Sequence, residues 1–162
     1  MEQFLFLNGE PIEPKLPLRS LFFGEGIFET FRWKGKPPVF LEKHLARMKN
    51  GAKYLNIPLP SDAVVKRNLK EAVGKSGVED AYVKICLLAS GPLKFYERAA
   101  RGHILVVVRK YDEPKERLRV HVSSLVRSSS SPLLGLKSVN YLENVIARRA
   151  AADIRYDEAI FL

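Results

Sequence analysis

A lysine with apolar neighbours is the residue of this sequence best suited to covalent chemistry. Lys137 lies in the stretch SPLLGLKSVN, directly before a predicted helix. Among leucine and valine side chains the ammonium form of a lysine is disfavoured by desolvation, and the neutral amine is the nucleophile that forms a Schiff base. A lysine that extends from a loop edge to solvent shows the same pattern. The residues alone therefore leave both a nucleophile and a surface lysine open.

Other chemically active side chains give weaker signals. His44 has no carboxylate or cysteine at a metal-ligand spacing, so we expect a helix-surface or packing histidine and no metal site. Cys86 lies in the apolar run AYVKICLLAS and is expected to be a buried thiol without a catalytic role. The sequence contains no Walker loop, no dinucleotide glycine fingerprint and no RNA-recognition aromatic motif.

Hydrophobic patterns predict the strands and helices that must position these residues. Alternating or continuous apolar runs indicate strands at 4–7, 27–33, 39–41, 81–89, 103–109, 118–126 and 158–162. Helical periodicity indicates helices at 42–54, from Ser61 or Asp62 to about residue 73, and at 140–153. Residues 128–136 are expected to form a loop.

The chain divides at a charged stretch that contains Pro114. Residues 111–117 have little apolar surface to bury and are predicted to link a first domain, 1–110, to a second unit, 118–162. The second unit ends on an apolar strand that has few predicted neighbours. We therefore expect the sequence to be part of a longer chain.

Composition places the chain among ordinary globular proteins. It has 162 residues, of which 46% are apolar and 28% charged. No apolar run approaches the ~20 residues that cross a bilayer, and the N-terminus does not resemble a secretory signal, so we expect a cytoplasmic protein. The formal charge of +9 favours anionic partners. Because acidic residues interrupt the basic ones, a solvated surface is favoured over a nucleic-acid-binding stripe, although a basic nucleic-acid-binding module remains an alternative.

Two long stretches resemble the class IV family of pyridoxal-phosphate aminotransferases, which includes aminodeoxychorismate lyase. GLKSVNYLENVIARRAAADIRYDEAIFL is similar to the family's cofactor-lysine segment, and FFGEGIFETFRWKGKPPVFLEKHLARMKNGAKYLNIPLP to its N-terminal signature. The resemblance implies an α+β, D-amino acid aminotransferase-like fold. Its first domain would be a two-layer sandwich with a mainly antiparallel sheet and two helices, followed by the start of a barrel-like domain.

The resemblance also implies the roles of individual residues. Lys137 would bind pyridoxal 5'-phosphate covalently and transfer protons, and Arg47 would bind the cofactor phosphate. Tyr141 would direct its hydroxyl towards the cofactor, with core packing as the alternative role. The resemblance places three residues on the substrate side. Phe28 would form a wall, Glu29 would be a hydrogen-bonding or structural carboxylate, and Lys84 would be a lysine that faces the substrate.

The implied activity is chemistry on a small amino-bearing substrate by a homodimer. The compact GLKSVNYLEN spacing and Lys84 favour 4-amino-4-deoxychorismate lyase, which forms 4-aminobenzoate and pyruvate for folate synthesis. Phe28 and Tyr141 favour the alternative, a branched-chain amino acid aminotransferase. Ser90-Gly91 replaces the Arg-Gly pair of D-amino-acid aminotransferases, which argues against their carboxylate site. Because the family continues beyond residue 162 to further cofactor-binding groups, we expect this chain alone to be inactive, and an inactive remnant is a further alternative.

Overall fold

The computed structural model describes residues 6–8, 10–11 and 17–162. The strands are β1 (Phe6–Leu7), β2 (Glu10–Pro11), β3 (Gly26–Lys34), β4 (Asp80–Ser90), β5 (Arg101–Lys110), β6 (Val120–Val122) and β7 (Glu158–Ile160). The helices are α1 (Leu18–Phe23), α2 (Leu41–Tyr54), α3 (Asp62–Ser76) and α4 (Leu142–Asp153), with a 3-10 turn at Pro132–Gly135. Strand β1 confirms residues 6 and 7 of the predicted strand 4–7, and the remainder lies outside the described residues.

A three-stranded antiparallel sheet in the order β3-β4-β5 forms the centre of the first domain. Alternate residues of β3 and β4 point towards α2 and α3, as the period-2 pattern requires. The largest apolar side chains with no exposed surface are Leu69, Val83, Ile85 and Leu87. Burying each of them stabilises the fold by roughly 1.5–3 kcal/mol. One sheet covered by helices on one face confirms the predicted α+β sandwich.

Helices α2 and α3 follow the predicted periodicity. The buried face of α2 carries Leu41, Leu45, Met48 and Ala52. Helix α3 begins after Ser61 and ends at Gly77, which adopts φ +66°. Glycine accepts this left-handed conformation at little cost, so it ends the helix. The helix is predicted from the sequence to end at about residue 73, but Gly74 lies inside it and the helix continues to Ser76.

The predicted hairpin strand 39–41 is wrong. Val39 and Phe40 form a turn, and Leu41 is already the first residue of α2. The two preceding prolines, Pro37 and Pro38, lack the N–H groups that a ladder requires, whereas the O atom of Pro38 accepts a hydrogen bond from the N–H of Leu41. The start of α2 therefore replaces the predicted strand.

The second unit consists of β6, α4 and β7, with the two strands parallel. The predicted strand 118–126 is reduced to residues 120–122, and the strand 158–162 to 158–160. A two-stranded sheet offers backbone partners to few residues, which limits the length of both strands. In the described part of the chain these strands do not close into a barrel.

Candidate active site

The backbone around Lys137 is paired with strand β3 of the first domain. The N–H of Phe28 donates to the carbonyl of Lys137 over 2.8 Å, and the N–H of Val139 donates to the carbonyl of Gly26 over 3.0 Å. Ile27 and Ser138 form the antiparallel bridge between these bonds. We call residues 137–140 the lysine segment. These bonds fix the position of the segment at the edge of the central sheet.

Two glycines, one just before β3 and one at its first residue, make this close approach possible. A Cβ atom added to Gly24 would lie 1.9 Å from Oδ1 of Asn140, and one added to Gly26 would lie 3.0 Å from Cγ2 of Val139. The side-chain amide of Asn140 donates to the carbonyl of Gly24 over 3.0 Å. Gly24 has φ +66° and caps α1. Both its conformation and the space beside it therefore favour glycine.

The Lys137 amine lies against the aromatic ring of Phe28. Nζ is 4.6 Å from the ring centroid. Burial lowers the pKa of the Lys137 ammonium, and the positive charges of Arg47 and Lys84 lower it further, while Glu29 acts in the opposite direction. A lower pKa increases the fraction of neutral amine at a given pH. The structure thus gives Lys137 the environment that its apolar neighbours in the sequence predicted.

Phe28 also contacts Lys84 and Tyr141. Nζ of Lys84 lies 4.2 Å from the ring centroid, and the ring of Tyr141 meets Phe28 edge-on with centroids 5.3 Å apart. Lys84 reaches this position because β3 and β4 pair with Thr30 opposite Lys84 and Phe28 opposite Cys86, which puts Lys84 and Phe28 on one face. Side chains from β4, the lysine segment and the residue before α4 therefore surround the ring of Phe28. They are Lys84, Lys137 and Tyr141.

A buried carboxylate holds the arginine of α2. Only 1% of the Glu29 side chain is exposed, and its two oxygens accept hydrogen bonds from Nε and Nη2 of Arg47 over 2.5 and 2.6 Å. Nδ1 of His44 lies 2.7 Å from Oε2 of Glu29. Although burial by itself raises the pKa of the Glu29 carboxyl, the bonds with Arg47 and His44 outweigh it and lower that pKa. Glu29 is thus a charged group that sets the direction of the Arg47 side chain.

A cleft of about 720 Å³ lies beside Lys137 and Arg47. Its lining includes Arg47, Lys137 and Tyr141, together with the polar side chains Ser131, Asn140 and Asn144. The volume lies within the ~300–1,000 Å³ of small-molecule sites. Arg47 uses two of its three nitrogens for Glu29 and leaves Nη1 for an anion, while Lys137 has no carboxylate within ion-pair distance among the described residues. These residues fit a ligand that has both a phosphate and an aldehyde.

The structure brings all six predicted site residues into two adjoining groups. Phe28, Lys84, Lys137 and Tyr141 form the first, and Glu29 with Arg47 forms the second, next to Lys137. His44 packs against Phe31 as expected, with ring centroids 5.3 Å apart, and its bond to Glu29 adds a role that the sequence analysis did not assign. The spacing of His44 and Arg47, one helical turn apart, is the signal that both face one partner.

Asn140 is the residue that the sequence analysis missed. Its amide contacts Gly24, far away in the sequence. The signal in the sequence was the pair Gly24 and Gly26 in FFGEGIF, since glycine permits a close approach of another part of the chain. Cys86 is buried as predicted, and burial raises the pKa of its thiol. Among the described residues no three potential metal ligands cluster, and no described helix is long and apolar enough to cross a membrane.

Solved structures share this fold. A protein of Legionella pneumophila subsp. pneumophila, provisionally named a 4-amino-4-deoxychorismate lyase, superposes with a TM-score of 0.82 at 31% sequence identity. The match covers 88% of this chain and 54% of that chain. The D-amino acid aminotransferase-like α+β fold is thereby confirmed for the described part of the chain.

Curated relatives give the same family from sequence. The chain is 26% identical to aminodeoxychorismate lyase of Bacillus subtilis, over 98% of this chain and 58% of that protein. It is also 26% identical to a branched-chain-amino-acid aminotransferase of Methanocaldococcus jannaschii whose assignment is provisional, over 98% of this chain and 59% of that protein. The chain therefore spans somewhat more than half the length of these relatives. The family model for amino-transferase class IV matches residues 26–162, and the chain belongs to the class IV aminotransferase family, whose enzymes depend on pyridoxal phosphate.

Proposed function

We propose that Lys137 binds pyridoxal 5'-phosphate and that the protein is a 4-amino-4-deoxychorismate lyase. The observation that carries the proposal is the position of the Lys137 amine, which is partly desolvated and lies beside Phe28 in a cleft that Arg47 also lines. When bound, pyridoxal phosphate supplies an electron sink for the carbon next to the substrate amine.

The residues of the chain divide the remaining tasks. Arg47, directed by Glu29, binds the phosphate through its remaining donors. Tyr141 directs its hydroxyl towards the cofactor ring. In the lyase reaction Nζ of Lys137 takes the proton from the substrate carbon that bears the amine, the carbon–oxygen bond to the enolpyruvyl group breaks, and the proton is delivered to that group, which leaves as pyruvate. The amine must be uncharged at the start of that step. Phe28 forms the wall that excludes water from this side.

Lys84 favours the lyase among the activities of the family. Its amine lies against the same Phe28 ring as the amine of Lys137. The substrate of the lyase carries carboxylates, and a lysine at this position can pair with one of them. The lyases among the relatives support this choice, since they include the curated protein of Bacillus subtilis.

A branched-chain amino acid aminotransferase is the second candidate. The aromatic pair Phe28 and Tyr141 offers an apolar surface for a branched side chain. The relative in Methanocaldococcus jannaschii matches with the same identity as the lyase. For either activity we propose a cytoplasmic protein that acts on a small amino-bearing substrate, and a homodimer, as the family resemblance implies.

One pair of assays separates the two candidates. The full-length protein with pyridoxal phosphate is expected to release pyruvate and 4-aminobenzoate from 4-amino-4-deoxychorismate, and to transfer little amino group from leucine to 2-oxoglutarate. The reverse ratio of activities would select the aminotransferase.

Borohydride reduction and peptide mapping test the role of Lys137 and should place the pyridoxyl label on that residue. A label on Lys84 or Lys94 would contradict the role of Lys137. Lys137→Met should abolish the label, while Lys94→Met, outside the cleft, should keep it.

A further inference from the structure

Two lysines from distant parts of the chain meet at the Phe28 ring. The Nζ atoms of Lys84 and Lys137 lie 4.2 and 4.6 Å from its centroid. Because both distances end at one point, the two nitrogens are at most about 8.8 Å apart. At that separation the repulsion between two ammonium groups corresponds to roughly 0.3 to 1.4 pKa units for effective dielectric constants of about 80 to 20.

We propose that Lys84 is a positioning residue for Lys137, and that its positive charge beside the Phe28 ring adds to desolvation in favouring the neutral, nucleophilic form of the Lys137 amine. The proposal rests on the function inferred above for Lys137. Desolvation and a neighbouring cation are the two means by which proteins activate a lysine amine. Both are present here, since Lys137 is half-buried and Lys84 faces the same ring.

The charged and titratable groups around Lys137 come from each element that packs against it. They are Glu29 of β3, Arg47 of α2, Lys84 of β4 and Tyr141 next to α4. Further along the cleft, Arg127 and Glu143 lie 3.4 Å apart and largely offset each other.

Two groups beside Lys137 favour its ammonium form: the carboxylate of Glu29 and the ring of Phe28. Each of them also interacts with other cations. The Glu29 carboxylate already accepts two bonds from Arg47 and one contact from His44, so its charge is mostly compensated. The Phe28 ring attracts a cation by about 0.5–1 kcal/mol at exposed sites, but two ammonium groups compete for it. Lys84 has no carboxylate within ion-pair distance among the described residues and thus acts on Lys137 without a compensating charge.

The first test measures the charge of Lys137 without any cofactor. The full-length protein, freed of pyridoxal phosphate and labelled with ¹³C at lysine Cε, is titrated by NMR, with Lys137→Arg used to assign the signal. Lys84→Met should raise the pKa of Lys137 by about 0.3 units or more, whereas Lys84→Arg should leave it within ~0.2 units. Lys94→Met is the matched control, because Nζ of Lys94 lies 6.0 Å from the Tyr96 ring in a separate lysine–aromatic pair.

An unchanged Lys137 pKa in Lys84→Met overturns the proposal. If that variant does not fold, Lys84→Gln is measured and read in the same way. Since this titration contains no cofactor, its result is independent of whether Lys137 binds pyridoxal phosphate.

The second test follows the pH dependence of labelling. With pyridoxal phosphate and borohydride, the initial labelling rate of Lys137 should fall at least about twofold in Lys84→Met near neutral pH. It should match the unsubstituted protein at pH values well above the ordinary lysine pKa of ~10.4, where the amine is neutral in both. A reduction that persists at high pH would mean that Lys84 contacts the reagent, and would overturn the electrostatic role. A label absent from Lys137 would instead refute the proposed function, and the NMR titration would still decide the role of Lys84.

Discussion

The position of the Arg47 side chain depends on one buried residue, Glu29. The carboxylate is almost completely enclosed, and both of its oxygens are hydrogen-bonded. An enclosed carboxylate is costly unless its partners remain, so its bonds to Arg47 and His44 are coupled to folding. The arginine that we propose to bind phosphate therefore also stabilises the first domain.

Replacing Arg47 should reduce stability and cofactor affinity together. Arg47→Ala leaves Glu29 with His44 alone, and we expect a loss of about 1–3 kcal/mol in the free energy of unfolding. Loss of the charge-assisted bond should weaken pyridoxal phosphate binding by about 2 kcal/mol. Urea unfolding without cofactor and a binding titration measure the two effects.

Arg67→Ala is the matched control for this prediction. Arg67 lies on α3, is 66% exposed, and is 4.0 Å from Glu71, so its removal should change stability by less than about 0.5 kcal/mol. Arg47→Lys should restore part of the loss, since an ammonium cannot form both bonds of the guanidinium fork. Equal results for Arg47→Ala and Arg67→Ala would show that Arg47 is an ordinary surface residue.

At the scale of elements, the pairing between β3 and the lysine segment connects the first domain to the cofactor lysine. Two backbone hydrogen bonds and the Asn140 amide hold the segment. None of these bonds involves the Lys137 side chain, which remains available to a ligand. The strand therefore positions the amine through the backbone.

Gly24→Ala should destabilise this pairing more than a glycine substitution of equal backbone strain elsewhere. Gly77 is the matched control, because it also has φ +66° but has no atom within 4 Å of an added Cβ. Gly77→Ala should cost about 1 kcal/mol for the left-handed conformation alone. Gly24→Ala should cost at least about 1 kcal/mol more, through its clash with Asn140.

A double-mutant cycle isolates the contact between the two residues. Adding Asn140→Ala to Gly24→Ala removes the clashing amide, so the combined loss in stability should be smaller than the sum of the single losses. Hydrogen exchange at the amides of Phe28 and Val139 should increase in Gly24→Ala and stay unchanged in Gly77→Ala. Additive losses and unchanged exchange would contradict the proposed contact.

At the scale of the whole molecule, the charged segment predicted as a linker is bonded to both units. Near its beginning, Glu113 lies 2.7 Å from Arg32 of β3, and further along, Lys115 lies 2.6 Å from Asp157 beside β7. Asp157 also accepts a hydrogen bond from the N–H of Arg119 over 2.9 Å. These contacts add to the lysine segment in holding the second unit near the first.

Asp157 should titrate unusually low. The hydrogen bond from Lys115 first, and that from the Arg119 backbone second, lower the pKa of Asp157 from 3.8 to about 2. Because the folded pKa is below the unfolded one, the stabilising contribution of the Asp157 carboxylate is fully present above about pH 4 and is lost as the pH falls towards 2.

NMR titration of the Asp157 carboxyl carbon measures this pKa. Lys115→Met should raise it towards 3.8, whereas Arg109→Met, which removes a separate pair with Asp112, should not. An Asp157 pKa near 3.8 in the unsubstituted protein would contradict the bonded linker.

The sequence by itself determined the central strands, the helices α2, α3 and α4, and the chemical type of the key residues, whereas the short helix α1 was not predicted. Period-2 and period-3.6 patterns record burial locally, so β4, α2 and α3 were predictable to within a few residues. The apolar neighbours of Lys137 likewise predicted its desolvation, but in the structure the amine lies against Phe28, a residue distant in the chain. The predicted strand at 39–41 was wrong because two prolines precede a helix start there. The predicted strand at 118–126 was too long because the two-stranded sheet offers few backbone partners.

Only the tertiary structure decided which distant groups meet. The β3–β4 register places Lys84 beside Phe28, and the pairing of β3 with the lysine segment adds Lys137 to the same ring. The choice of Glu29 as the partner of Arg47 and His44, and of Gly24 as the partner of Asn140, also depends on these long-range contacts. Charge interactions and steric limits act through space, and a pattern of neighbours along the chain does not contain those distances.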